Sequence, residues 1–389
     1  MEIHDPVGVQ ASPTSPASTS PASTSLADLG WDPGWAAAFL PFDAAGWQPA
    51  RVIAAHRDAW VLAHPGGDAD AVIAGRLRHE ALDPGDLPAV GDWVAAAGTR
   101  STTDRVVIQA VLPRRTAFRR SAGEERLAGN RSAEQVLAAN VEVAFVMAGL
   151  DGDFNLRRLE RYLAVAWSGG ATPVIVLNKT DVVADVDGFR VAAEAIAPGI
   201  GVRAVSALTG DGVEALAQAH LARGRTAVVL GSSGVGKSTL VNALLGSERQ
   251  RTAAVREDDA RGRHTTTHRE LVRLPGGALL IDTPGIRSLG VAGASEGLEP
   301  AFADIAELAL GCRFSDCRHD GEPGCAIASA LADGRLSRDR LASHRKLERE
   351  AAHVARSTNP MLRAAERRKW KAIHVSVNQH MQRKYGSDR

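Results

Sequence analysis

A glycine-rich loop in the second half of the chain constrains the fold more than any other feature. The apolar run 227–230 before it predicts a buried strand, and the run 240–245 after it predicts the start of a helix. The loop has the pattern Gly-x4-Gly-Lys-Ser and contains Gly231, Ser232, Ser233, Gly234, Val235, Gly236, Lys237, Ser238 and Thr239. A strand, such a loop and a helix in this order are typical of a P-loop, so the sequence predicts an α/β domain that binds nucleotide phosphates.

The residue types of this loop suit phosphate chemistry. Glycines let backbone N–H groups approach phosphate oxygens because no Cβ lies in the way, and the helix N-terminus adds a partial positive charge. We expect Lys237 to reach the β- and γ-phosphates and the Ser238 hydroxyl to bind Mg²⁺. An ordinary Gly/Ser turn before a helix is the alternative, and the complete motif in this context disfavours it.

Strand and helix patterns alternate from about residue 140 to 290. Besides the strand before the P-loop, buried strands are predicted over 141–148, 173–177, 202–205 and 278–281. A helix is predicted over 155–168 because leucines recur there at helical spacing, and another over 212–223. Runs of Val, Ile and Leu separated by helices indicate a parallel sheet that is covered on both faces.

Two loops in this region have the residues that select a guanine base. The strand over 173–177 ends in Asn178, Lys179, Thr180 and Asp181, and the strand over 202–205 ends in Ser206 and Ala207. A carboxylate at Asp181 can accept hydrogen bonds from guanine N1 and its 2-amino group, and adenine has neither donor. We expect Asn178 to brace the loop, Lys179 to pack on the base plane, and a backbone N–H of the second loop to bind guanine O6.

The predicted switch elements lie on either side of the last strand of the sheet. That strand ends in Asp282, which we expect to hold Mg²⁺ through water, and the N–H of Gly285 is placed to meet the γ-phosphate. The preceding segment has consecutive threonines, of which Thr265 or Thr266 would close over Mg²⁺ and the γ-phosphate. The sequence does not decide between these two threonines.

The order of these motifs is unusual. In ordinary small GTPases the phosphate loop comes first and the base-specificity motif fourth, whereas here Asn178 and Ser206 precede Gly231 and Asp282. All the pieces are present, so the sequence predicts a circularly permuted GTPase domain, which we place at residues 113–292. The switch then leads directly into the C-terminal domain, so loss of the γ-phosphate could move that domain.

The region before this domain divides into a tail and a barrel. Residues 1–43 begin with a stretch rich in Ser, Thr, Pro and Ala, and we predict a disordered tail. Residues 44–112 have short apolar runs separated by Gly, Pro and Asp, which predicts a small β-barrel of the OB type. The segment 113–120 has four arginines around Phe118, and it could grip RNA phosphates and stack a base or be a solvated connector.

The three cysteines of the chain lie close together near a histidine. Cys312, Cys317, His319 and Cys325 supply three thiols and one imidazole, the ligands of tetrahedral Zn²⁺. Because four protein ligands leave no open position, we predict one structural zinc ion in a domain over residues 293–389. Free cysteines are the alternative.

Charge is uneven along the chain. The formal net charge is only +1, yet from Arg335 to Arg389 we count 15 Lys and Arg against 5 Asp and Glu. This excess predicts helices that face a polyanion, and a solvated helix face is the alternative. No run of 18 apolar residues and no signal-peptide pattern occurs, so we expect a soluble cytoplasmic protein without a membrane partner.

These motifs together resemble the ribosome small-subunit-dependent GTPase A family (RsgA), from about residue 44 to the C-terminus. The resemblance implies an OB barrel, a permuted GTPase domain and a zinc domain. It also implies a GTPase that binds GTP or GDP with Mg²⁺, acts on the 30S subunit and its 16S rRNA late in assembly, and is stimulated by the subunit. We expect a monomer.

The residue after Gly285 bears on how the attacking water is oriented for GTP hydrolysis. Many Ras-like GTPases have a glutamine there that orients water, and this chain has Ile286. We therefore expect slow intrinsic hydrolysis. We assign the orientation of the attacking water to His264, which the ribosome would order. The other residues that we place in the catalytic site are Lys237, Thr265, Asp282 and Gly285. Two other functions remain as alternatives. One is a non-catalytic RNA-binding assembly factor that holds GTP. The other is a P-loop ATPase, and Asp181 argues against it because its carboxylate favours guanine over adenine.

Overall fold

The computed structural model describes residues 24–56, 58–98, 105–121, 134–246, 269–282 and 295–358. The switch residues His264, Thr265, Thr266, Gly285 and Ile286 lie outside this part of the chain. The tail before residue 24 and the basic segment after residue 358 lie outside it too.

An N-terminal helix occupies part of the segment that we predicted to be disordered. Helix α1 (Pro33–Asp43) follows a short 3-10 turn. Asp32 caps its N-terminus, and the Asp32 side chain accepts a hydrogen bond from the Trp35 backbone N–H at 3.0 Å. Trp35 and Phe39 are buried, and Trp31 packs edge-on against Trp93 with ring centroids 4.6 Å apart. The prediction of disorder up to residue 43 is therefore wrong for this part, because its aromatic side chains bury enough apolar surface to order it.

The next strands form the predicted barrel. They are β1 (Gln48–Ala55), β2 (Trp60–His64), β3 (Gly67–Ile73), β4 (Trp93–Ala97) and β5 (Val106–Val111), and helix α2 (Gly75–Glu80) follows β3. The strand order is β1-β2-β3-β5-β4, and β4 pairs back with β1, so these strands close into a five-stranded barrel. Closure removes the sheet edges, and apolar side chains that include Trp60, Leu62 and Ile108 form the barrel core. The OB-type barrel is confirmed.

A hairpin of strands β6 (Ala117–Ser121) and β7 (Glu134–Ala139) follows the barrel. Phe118 is only 1% exposed and belongs to the main core, so it cannot stack on a base. Arg114 forms a bidentate ion pair with the buried Asp92, and Arg115 forms an ion pair with Asp32. The RNA contact proposed for 113–120 is therefore wrong for these three side chains, because intramolecular packing already uses them.

The nucleotide domain contains the remaining strands. Its elements are β8 (Val143–Gly149), α3 (Leu156–Ser168), β9 (Thr172–Asn178), α4 (Asp187–Ile196), β10 (Val202–Val205), α5 (Val213–His220), β11 (Thr226–Gly231), α6 (Lys237–Leu245), β12 (Arg269–Arg273) and β13 (Leu279–Asp282). The strand order is β10-β9-β8-β11-β13-β12, and β12 alone of these described strands runs antiparallel to its neighbour. Apolar cores lie on the two faces of this sheet, as predicted.

The connections of the sheet reverse direction beside β8. From β8 the chain moves outward through β9 to β10, and it then returns to the other side of β8 to form β11. The carboxyl ends of β8 and β11 therefore flank a topological switch point, where open α/β sheets bind their ligands.

The barrel and the nucleotide sheet are joined rather than separate. β1 pairs with β12, so the described strands of both parts, apart from the hairpin, form one continuous sheet. Arg51 of β1 is buried between them, and it donates hydrogen bonds to the Asn140 carbonyl at 3.2 Å and to the Thr226 hydroxyl at 2.8 Å. The continuous sheet thus contains strands from both sides of the boundary that we predicted near residue 112.

Helices form the C-terminal part. They are α7 (Ser295–Ala301), α8 (Ala303–Ala309), α9 (Ala326–Ala332) and α10 (Arg338–Thr358), and α10 lies in the basic segment after Arg335 for which we predicted helices. α7 packs so closely on α3 that a Cβ on Gly297 would lie 2.0 Å from the Ala164 carbonyl oxygen. Among the described helices, none has the length and apolarity needed to cross a membrane.

Candidate functional site

The P-loop lies between β11 and α6, at the predicted place. Gly234 and Gly236 have positive φ angles of 79° and 97°, which residues with a Cβ rarely adopt. Lys237, the first residue of α6, folds back over the loop and donates from Nζ to the carbonyl oxygens of Gly231, at 2.9 Å, and of Ser232. Its ammonium group is thus held over the mouth of the loop, where phosphate oxygens would meet it.

A direct contact joins the two halves of the predicted site. Asn178, at the end of β9, is 2% exposed and donates from Nδ2 to the backbone oxygen of Val235 in the P-loop at 2.8 Å. A Cβ on Gly236 would lie 2.3 Å from the same Nδ2 atom, so this contact requires glycine at that position. Residues that are 57 positions apart in sequence therefore meet at one site.

The base-binding loops also contact each other. Lys179 has a left-handed backbone with φ of 69°, and the 3-10 turn Thr180–Val182 that follows brings Asp181 towards the loop after β10. Asp181 accepts a hydrogen bond from the Ser206 hydroxyl at 2.6 Å. The Ala207 backbone N–H donates to Asn178 Oδ1 at 2.9 Å. A carboxylate can accept further hydrogen bonds, so Ser206 orients Asp181 without exhausting its capacity to bind guanine.

On the phosphate side, Asp282 is the last residue of β13, which lies parallel and adjacent to the P-loop strand β11. Asp282 therefore lies at the same sheet edge as the P-loop. Ser238 and Thr239 lie in the first turn of α6. The positions proposed for His264, Thr265 and Gly285 remain predictions, since the structure does not describe those residues.

The four predicted zinc ligands come together at the start of α9. The ligand atoms of Cys312, Cys317, His319 and Cys325 all lie within 4.8 Å of one another. His319 Nδ1 is 3.5 Å from the sulfurs of both Cys312 and Cys325. Tetrahedral Zn²⁺ with ordinary Zn–S and Zn–N bonds gives an S–N separation of roughly 3.6 Å. The donor types and their spacing fit a zinc ion.

Glu322 is a residue of this loop that the sequence analysis missed. Its carboxylate accepts hydrogen bonds from the backbone N–H groups of Arg318 at 3.0 Å and Asp320 at 2.8 Å. Hydrogen bonds from its own backbone N–H and from these two lower the pKa of Glu322 to about 2. Glu322 thus fixes the turn on which His319 adopts its left-handed backbone, with φ of 61°. In the sequence, its position between the predicted zinc ligands His319 and Cys325 was the one indication that Glu322 has a role in this loop.

Comparisons with known proteins agree with this geometry. The family model described as RsgA GTPase matches residues 111–292. Over 361 residues the chain is 49% identical to the small ribosomal subunit biogenesis GTPase RsgA of Opitutus terrae, and the match covers 90% of this chain and 96% of that protein. The chain belongs to the RsgA family. The RsgA protein of Streptomyces avermitilis is 43% identical over 95% of this chain and 98% of its own length.

Solved structures support the same fold for this RsgA family member. YjeQ from Thermotoga maritima matches with a TM-score of 0.56 at 24% identity and covers 77% of this chain and 97% of its own. YloQ, described as a circularly permuted GTPase, matches with a TM-score of 0.54 at 20% identity, over 79% of this chain and 96% of its own. The permuted GTPase fold is confirmed. RsgA proteins are GTPases, so this chain is a GTP hydrolase, and its family implies GTP, GDP and Mg²⁺ as its ligands.

Proposed function

We propose that this RsgA family GTPase acts in the late maturation of the small ribosomal subunit, hydrolyses GTP with stimulation by the 30S subunit, and couples hydrolysis to its release from rRNA. Relatives up to 49% identical are named small ribosomal subunit biogenesis GTPases. The contact of Asn178 with the Val235 carbonyl is the observation that carries the proposal, because a single nucleotide site formed from the two permuted halves requires the end of β9 to lie against the P-loop.

The base half would select guanine by hydrogen bonding. Asp181, oriented by Ser206, would accept from guanine N1 and the 2-amino group, and an adenine ring would leave that carboxylate unpaired. Lys179 would lie along the base plane, and Asn178 would hold the loop against the P-loop. The residue types and the hydrogen bonds that link these loops support these roles.

The phosphate half would bind and orient the triphosphate. The backbone N–H groups of the P-loop and the Lys237 ammonium group would bind the phosphate oxygens. Ser238 and Thr265 would hold Mg²⁺ directly, and Asp282 through water. When bound, Mg²⁺ would neutralise charge that develops on the phosphates. His264 would orient the attacking water, a role that the apolar Ile286 cannot perform.

The C-terminal part would contact 16S rRNA. The zinc ion would hold the loop before α9 in shape, and the basic segment from residue 335 onward would bind phosphates. Not every arginine there is available for this: Arg340 is buried in ion pairs, and Arg345 binds the His319 carbonyl oxygen at 2.8 Å. Exposed Arg338, Lys346 and Arg349 lie on α10. We keep the domain boundaries, the cytoplasmic location and the monomeric state as predictions.

The test is GTP turnover by the full-length protein with and without purified 30S subunits. We expect slow turnover that the subunits accelerate, and His264→Ala should lose the acceleration while still binding GTP. His79→Ala, at an exposed position on α2, is the matched control. Unchanged stimulation in His264→Ala would refute the role of that histidine. If wild-type protein bound GTP but never hydrolysed it, the non-catalytic assembly factor would be the correct function.

A further inference from the structure

The loop after β8 occupies a central position in the nucleotide site. β8 lies between β9, which leads into the base loop, and β11, which leads into the P-loop. Because all three strands are parallel, their carboxyl ends meet at one edge, and the segment between β8 and α3 must pass between the two halves of the site. We call this segment, residues 150–155, the bridging loop. None of its residues belongs to the motifs that predicted the site.

The bridging loop has one carboxylate directed to each half. Asp151 forms an ion pair with Lys179 of the base loop. Asp153 accepts a hydrogen bond from the Ser232 hydroxyl of the P-loop. Both acids come from the same short loop, although their partners lie 53 residues apart in sequence.

Asp153 has a second partner, Arg158, in the first turn of α3. Burial raises the pKa of Asp153, but hydrogen bonds from Ser232 and Arg158 outweigh that effect and hold the pKa below its usual value. The carboxylate is therefore anionic at neutral pH and accepts hydrogen bonds only.

A purely structural role for Asp153 is disfavoured by its surroundings. Helix α3 is capped by Asn155, whose side chain accepts from the Arg158 backbone N–H at 3.1 Å, so the helix does not need Asp153 as its cap. The side chains of Asp153 and Arg158 are 31% and 39% exposed, and ion pairs at such positions contribute little to stability.

We propose that Asp153 positions the P-loop and Asp151 positions Lys179, so that the bridging loop sets the spacing between the phosphate-binding and base-binding halves. The proposal rests on the proposed function, since it concerns the same guanine nucleotide site. The two carboxylates are positioning residues. They act through Ser232 and Lys179 and need no contact with the nucleotide.

The first experiment removes the Asp153–Ser232 bond from either side. Asp153→Ala and Ser232→Ala should each weaken binding of fluorescent GDP and GTP analogues by about tenfold, because nucleotide binding would have to restore the P-loop geometry that this charge-assisted hydrogen bond otherwise holds. The double variant should be no weaker than either single variant, because both remove one interaction. Arg158→Met, which removes the ion pair but keeps the Ser232 bond, should bind within about twofold of wild type.

The control is Asp187→Asn on α4, an exposed acid that pairs with Arg190. Thermal unfolding should show that every variant is folded at the temperature of the binding assay. Wild-type affinity in Asp153→Ala, or an equal loss in Arg158→Met, would overturn the role of Asp153. Failure of the wild-type protein to bind guanine nucleotides would instead reject the proposed function, so the two failures are distinguishable.

The second experiment addresses Asp151. Lys179 would contact the base through its stem, which does not distinguish guanine from hypoxanthine. Asp151→Ala should therefore weaken binding of GDP and of inosine diphosphate by the same factor, about fivefold for loss of a partly exposed ion pair. Asp181→Ala should weaken GDP more than inosine diphosphate, because hypoxanthine has no 2-amino group. Unequal effects in Asp151→Ala, or no effect, would refute the positioning of Lys179.

Discussion

Arg340 on α10 joins the C-terminal helices to the nucleotide domain, and its removal should destabilise that junction. It is 5% exposed and donates to Glu160 of α3 at 2.9 Å, to the Ala301 carbonyl at 2.9 Å, and to both oxygens of Asp304 at 2.8 and 3.1 Å. Its guanidinium carbon also lies 4.2 Å from the Phe302 ring centroid.

The magnitude follows from the burial of Glu160. Glu160 is 0% exposed, and Arg340→Met would leave its carboxylate with the partly exposed Arg157 as its one remaining ionic partner among the described residues. Breaking a buried pair from one side typically costs 3–5 kcal/mol, and because Arg157 remains we expect about 3 kcal/mol for Arg340→Met. Urea unfolding followed by circular dichroism would measure this loss. Arg335→Met, which removes an exposed pair with Asp333, should leave the unfolding curve unchanged.

A double variant tests the physical reason. Glu160 Oε2 is buried without a hydrogen bond among the described residues, so the pair is not fully satisfied in the native protein. The double variant Arg340→Met with Glu160→Leu also removes the Glu160 carboxylate that Arg340→Met alone leaves poorly paired. It should therefore recover most of the lost free energy of unfolding. The reasoning fails if Arg340→Met is as stable as Arg335→Met, or if the double variant is no more stable than Arg340→Met alone.

Three further predictions concern the two sites and pH. Asp181→Asn should lower GDP affinity at least about 100-fold, because guanine N1–H and the 2-amino group lose their charged acceptor; calorimetric titration checks this, and equal binding would contradict it. Cys317→Ser should release the metal, measured by elemental analysis, without abolishing GTP binding. Burial lowers the pKa of His344, so the folded protein binds fewer protons there, and its stability should fall as pH drops below the unfolded value of about 6.5. In His344→Gln the fall in melting temperature between pH 7 and 5 should be smaller, and an identical fall would exclude this contribution.

Much of the nucleotide domain could be predicted because its signals are local. The buried strands 173–177 and 202–205 and the helix 155–168 each show their periodicity within one short window, and the structure has β9, β10 and α3 there. Three side chains of the segment 113–120, those of Arg114, Arg115 and Phe118, were misinterpreted for the opposite reason. Whether an arginine binds RNA or a carboxylate of its own chain depends on partners such as Asp92 and Asp32, which are distant in sequence.

The amino-acid sequence alone was enough to predict the P-loop, the carboxylate proposed to select guanine, the four candidate zinc ligands and the permuted order of the motifs. Residue type and local spacing are enough for these features, because each depends on a few neighbouring residues. How the two halves of the predicted site meet could not be predicted, because it depends on contacts between segments that are distant in sequence. The strand order of the folded sheet brings Asn178 to Val235 and the bridging loop to both halves of the site. The packing of α10 against α3 and α7 buries Arg340.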